Sequence, residues 1–170
     1  MAGLVADTSA LVSLGITSQA SPNPLMLCLD GYDVFIPDEV IEELHEIASY
    51  DDEHGHAATA VLDRIAGVTV HSVELDAEFP LDDGENAAVT LANEFDVTLF
   101  LCDEFNSLGL IHASLADTRL VTTPTLLSMF VRTGRLTPDE ARTFLDDIST
   151  ARSWDTNSYV QRARSLLDDS

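Results

Sequence analysis

From residue 3 to about residue 121, short apolar runs of strand length alternate with longer segments of helical period, the mark of an α/β domain built on a parallel sheet. The runs at 3–6, 32–36, 68–73, 97–101 and 120–121 read as strands. Segments 9–14, 24–29, 38–49, 56–66, 84–95 and 106–115 read as the intervening helices. Pro37-Asp38 and Thr123-Pro124 mark helix starts, because proline fits a first turn and Asp or Thr accepts its free N–H groups. Beyond residue 121 the strands stop. Segments 124–132, 137–148 and 153–167 read as helices, and TPDE at 137–140 has capping-box spacing. Trp154, Tyr159, Ala163 and Leu166 give the last helix an apolar stripe that must cover the core or a second chain. The expected architecture is an α/β domain around a mainly parallel sheet of about five strands. It occupies residues 1–130, with a helical extension at 131–170 packed on the core or on a partner.

A chain of 170 residues suffices for one domain with a real core. Its charge is lopsided: 30 acidic residues stand against 8 basic ones, every one of them arginine, for a net charge of −22. Self-repulsion of that size is relieved when the screening length shrinks to about 3 Å near 1 M salt, so a halophilic setting is expected. The acidity describes the solvent rather than the ligand, and it neither requires nor excludes nucleic acid. Cys28 and Cys102 both lie in apolar runs and read as buried free thiols, as in a reducing cytoplasm. No stretch has the length of a membrane span, and no leader segment is expected.

Two apolar strands end on carboxylates. LVADTSALVSLG at 4–15 closes its first run on Asp7, and VTLFLC at 97–102 runs into Asp103 and Glu104. In an open parallel sheet, ligands bind beyond the carboxyl ends of the strands, so both acids point toward functional space. The competing reading is that each simply caps the next helix. Helical geometry adds two more acids: Glu43 flanks the apolar stripe of Val40, Ile41, Leu44, Ile47 and Ala48, and Glu85 falls within the stripe of Ala88, Leu91, Ala92 and Phe95, with Asn86 turned away. Asp82 and Glu85 also have capping-box spacing, which alone would account for the glutamate. Four inward carboxylates, Asp7, Glu43, Glu85 and Asp103, cannot share a dry pocket while ionised unless a cation stands among them. With no lysine, and no arginine before Arg64, a hard divalent ion is the natural solution, and carboxylate-held Mg²⁺ or Mn²⁺ is the usual apparatus of phosphodiester hydrolysis.

DTSAL at 7–11, IPDEVIEEL at 36–44, DDGENAAVTLA at 82–92 and FLCDEFNSLGL at 100–110 resemble, in order and spacing, the four acidic motifs of PIN-domain ribonucleases, with haloarchaeal members the nearest subgroup. The resemblance implies a three-layer α/β/α sandwich around the parallel sheet and a Mg²⁺- or Mn²⁺-dependent cut in single-stranded or structured RNA. It places the catalytic and metal-holding acids at Asp7, Glu43, Glu85 and Asp103, with Thr8, Ser9, Glu104 and Asn106 as accessory residues. It also implies toxin-like behaviour: a homodimer, and an antitoxin protein that covers the acidic site. Where PIN toxins commonly carry Asp at the third motif, this chain has Glu85.

Rival chemistries on Asp7 fit poorly. Haloacid-dehalogenase-type phosphatases need a second Asp two residues on, where Ser9 stands, and receiver domains need a lysine that this chain lacks. The remaining alternative is a catalytically weak or inactive PIN-like module that binds RNA or a protein, with Arg119, Arg132 and Arg135 as the phosphate contacts. DDEHGH at 51–56 reads as a solvated loop rather than a site for Zn²⁺, His45 as a rim residue, and His71 and His112 as packed or surface residues.

Overall fold

The computed structural model describes residues 1–169. Five strands, β1 (Gly3–Ala6), β2 (Asp33–Pro37), β3 (Thr69–His71), β4 (Leu99–Leu101) and β5 (Arg119–Val121), form one wholly parallel sheet in the order β3-β2-β1-β4-β5. Around it lie nine α-helices among the described residues. They are α1 (Thr8–Ile16), α2 (Pro24–Gly31), α3 (Asp38–Ala48), α4 (Glu53–Leu62), α5 (Asp83–Phe95), α6 (Leu108–Ser114), α7 (Thr123–Arg132), α8 (Pro138–Arg152) and α9 (Ser158–Asp168).

The sheet is buried on both faces because strand side chains alternate. Leu4, Ala6, Val34, Ile36, Leu99, Leu101 and Val121 join one buried cluster with residues of α1 to α4 and α7 to α9. Val5, Phe100 and Cys102 face the opposite cluster, filled mainly by α5 and α6. Three layers follow, and the C-terminal helices are part of the larger core: Leu145, Ile148, Trp154, Val160 and Leu167 pack in the same cluster as Leu4.

Several expectations need correction. The last helix starts at Ser158, because Ser153 takes a left-handed conformation at the end of α8 and Asn157 caps the next helix through its side chain. Its buried stripe is therefore Val160, Ala163 and Leu167, while Tyr159 and Leu166 are exposed. The DDEHGH segment is not a loop throughout: Asp52 accepts the Gly55 N–H at 2.7 Å, and Glu53 to His56 form the first turn of α4. Asn86 is buried rather than turned away, bonded to both the N–H and the carbonyl of Asp76. No helix is long and apolar enough to cross a membrane among the described residues.

Candidate active site

Strand order sets the location. The chain leaves β1 toward β2 on one side of the sheet and returns to β4 on the other, so β1 and β4 flank the reversal point, where a crevice opens beyond their carboxyl ends. Asp7 follows β1 directly and Asp103 follows β4 by one residue beyond Cys102; the Asp7 N–H donates to the Leu101 carbonyl at 2.9 Å. The cap explanation for Asp7 fails, because its side chain makes no capping hydrogen bond to α1.

Ser9 ties the two strand ends together. Its hydroxyl donates to Asp7 Oδ2 at 3.0 Å and accepts the Asp103 N–H at 3.0 Å. The Cys102 thiol also approaches Asp7 Oδ2, at 3.6 Å. One turn of chain thus fixes the Asp7 carboxylate from two sides.

A cavity of about 130 Å³ opens over Asp7, and Thr8, Ser9, Glu43, Asp82, Glu85, Glu104 and Arg152 share its walls. Thr8 Oγ1 donates to Glu43 Oε1 at 3.2 Å, joining α1 to α3. Glu43 lies directly against the first turn of α5: a Cβ on Gly84 would stand 1.9 Å from Glu43 Oε1. A larger residue there would push the Glu43 carboxylate out of this position. Asp82 caps α5 by accepting the Glu85 N–H at 2.8 Å. The return bond that would complete a capping box is not made among the described residues, so the glutamate carboxyl is left to face the cavity.

The electrostatics are those of crowded acids taken out of water. Burial pushes Asp7 up to about 6, partly offset by the Ser9 hydroxyl. Glu43 rises to about 7, through burial first and the Asp7 charge second. Glu85 rises to about 8, through burial and then the adjoining Asp82 carboxyl. Among the described residues the one basic side chain in the lining is Arg152, from the last turn of α8.

Asp103 is placed differently from the other three. It is buried, and Oδ1 accepts the Thr123 N–H at 2.7 Å, at the start of α7. Oδ2 is buried with no hydrogen-bond partner, and burial raises this carboxyl above the ordinary range. It stands outside the cavity lining, one residue from Glu104 within it. Asn106 is exposed in the turn before α6 and lies away from the cavity walls.

Divalent ions suit this donor set chemically: several oxygens of raised proton affinity converge, and one buried carboxylate oxygen lacks any partner. As they stand, no three His, Cys, Asp or Glu side chains form a ready-made coordination set among the described residues. Asp82 and Arg152 are the lining residues that the sequence reading missed. Asp82 passed for a cap, which it also is. Arg152 fell between two expected helices; only the continuation of α8 to Arg152 brings it to the site.

No curated protein matched the chain on comparison. A family model described as PIN domain matches residues 3–169, nearly the whole chain and all three C-terminal helices. The chain belongs to the PIN-domain family, whose members are generally nucleases that use divalent metal ions.

Proposed function

We propose that this protein is a Mg²⁺- or Mn²⁺-dependent endoribonuclease, with Asp7, Glu43, Glu85 and Asp103 as the acids that hold the ion. The observation that carries the reading is the convergence of Asp7, Glu43 and Glu85 on one cavity at the reversal point of the sheet. When bound, such an ion polarises a phosphoryl oxygen and acidifies water. The chain's own residues do the rest. Ser9 and Thr8 orient Asp7 and Glu43, and Arg152 offers a guanidinium to a phosphate oxygen in a cavity whose other charged walls are acids. Water adds to phosphorus, the P–O3′ bond breaks, and the 3′ oxygen takes up a proton, leaving a 5′-phosphate and a 3′-hydroxyl. Glu43 and Glu85, which burial and neighbouring acids raise while the cavity holds no cation, would give up their protons as the ion binds. Within the same proposal the working medium is concentrated salt in the cytoplasm. The partners are a second copy of the chain and an antitoxin covering the acidic cavity.

One observation favours a second reading, a PIN-fold module that binds RNA without cutting it: Oδ1 of Asp103 is taken by the Thr123 N–H, and the carboxylate lies outside the cavity wall. Replacing Asp7 with Asn separates the two. The nuclease reading expects Mn²⁺ heat in calorimetry and RNA cleavage in the wild type, both lost in Asp7→Asn with the circular dichroism spectrum unchanged. Cleavage that persists in the variant would rule out the assignment, and a wild type that takes up no Mn²⁺ would favour the binding module.

A further inference from the structure

The chain has 8 basic residues against 30 acids, so where it gathers them is informative. Arg119, Arg132 and Arg162 line one groove of about 370 Å³ between α7 and α9, beside the sheet-edge strand β5. Arg142 and Arg164 make ion pairs with Asp139, Asp168 and Asp146, whereas the three groove arginines make none among the described residues. Among the described residues no Asp or Glu lines the groove, nor the adjoining cavity of about 500 Å³ that shares Thr125, Tyr159 and Arg162 with it. In a molecule of net charge −22, a continuous surface lined by cations and cleared of acids is a place built for an anion.

Tyr159 stands where the two cavities meet. The residue is 48% exposed and its ring stacks on Phe105, with centroids 5.5 Å apart and planes at 11°. Phe105 in turn meets Trp154 edge-on at 5.0 Å. The ring is thus held in place before any ligand arrives. These aromatics also connect the groove to the acidic cavity, since Glu104 in the cavity wall precedes Phe105, and Arg152 there is two residues from Trp154.

We propose that this groove binds the phosphate backbone of single-stranded RNA, with a base stacked on Tyr159, and leads the strand to the acidic cavity. Guanidinium groups neutralise phosphates, the Thr125 and Ser128 hydroxyls serve phosphate or ribose oxygens, and an ordered aromatic ring accepts any base. The inference extends the ribonuclease reading by naming the path of its substrate.

The test uses the full chain without divalent ions, so that RNA is bound but not cut. Fluorescence anisotropy with a labelled single strand of about 12 nucleotides compares wild type, Arg132→Gln/Arg162→Gln and Tyr159→Ala. Loss of two phosphate contacts should flatten the slope of log affinity against log salt by about 1.4, and affinity should fall at least roughly tenfold in each variant. Equal affinity and slope in all three proteins, or no RNA binding by the wild type, overturns the inference. So does a dimer that dissociates in the arginine variant, because the groove would then seat a second copy. Mn²⁺-dependent hydrolysis of bis(p-nitrophenyl) phosphate, too small to reach the groove, judges the nuclease reading separately and should be retained in both variants.

Discussion

Ser9 is buried, and its hydroxyl is the shared partner of Asp7 and the Asp103 N–H. Removing it leaves that N–H buried and unpaired, and lets the Asp7 carboxylate turn. We expect Ser9→Ala to lower stability by about 1–3 kcal/mol, measured by urea denaturation, and to weaken Mn²⁺ uptake in calorimetry. A stable variant with unchanged Mn²⁺ affinity would show that the bridge is incidental. The residue scale also explains the limit of reading acids one at a time. Asp7 and Glu43 were legible because an acid ending an apolar run, or flanking an apolar stripe, is costly without a purpose. The engagement of Asp103 by Thr123, twenty positions away, depends on β4 and β5 lying side by side, which no local pattern reveals.

At the level of elements, α8 has the strongest local instructions. Thr137 accepts the Glu140 N–H at 3.1 Å, Glu140 returns a bond to the Thr137 N–H at 2.9 Å, and Pro138 occupies the first turn. Thr137→Ala should cost about 1 kcal/mol, read as a melting temperature lower by roughly 2–4 °C. All five strands were legible from apolar runs, and the starts of α5 and α8 from their caps Asp82 and Thr137; α7 is capped by Thr122 rather than Thr123, and α3 begins behind Pro37 with no side-chain cap. Helix ends were less so. Asp96 and Ser153 end α5 and α8 in left-handed backbone without glycine, leaving no composition cue, and the last helix was consequently placed too early. Its outward residues, Tyr159 and Leu166, were mistaken for its inner face because an apolar stripe alone does not say which side is covered.

For the whole molecule, the raised acids make stability depend on pH. Asp7, Glu43 and Glu85 hold protons more tightly folded than unfolded, at about 6, 7 and 8. Their contribution is therefore full below about pH 4 and is lost as pH rises through those values. At fixed high salt and without divalent ions, the urea midpoint should fall between about pH 5 and pH 8.5, and Asp7→Asn should flatten that fall. Mn²⁺ should restore the wild type at the alkaline end and leave the variant largely unmoved. A flat wild-type profile would mean that the three carboxyls are better solvated than their burial implies.

Because Asp7 and Asp103 follow the ends of two paired strands, β1 and β4, the spacing of their backbones is set by the ladder and not by any surface connection. Insertions between elements can accordingly drift in length while that gauge stays constant. Retooling such a scaffold for a new target would begin at its outer grooves and leave the gauge untouched.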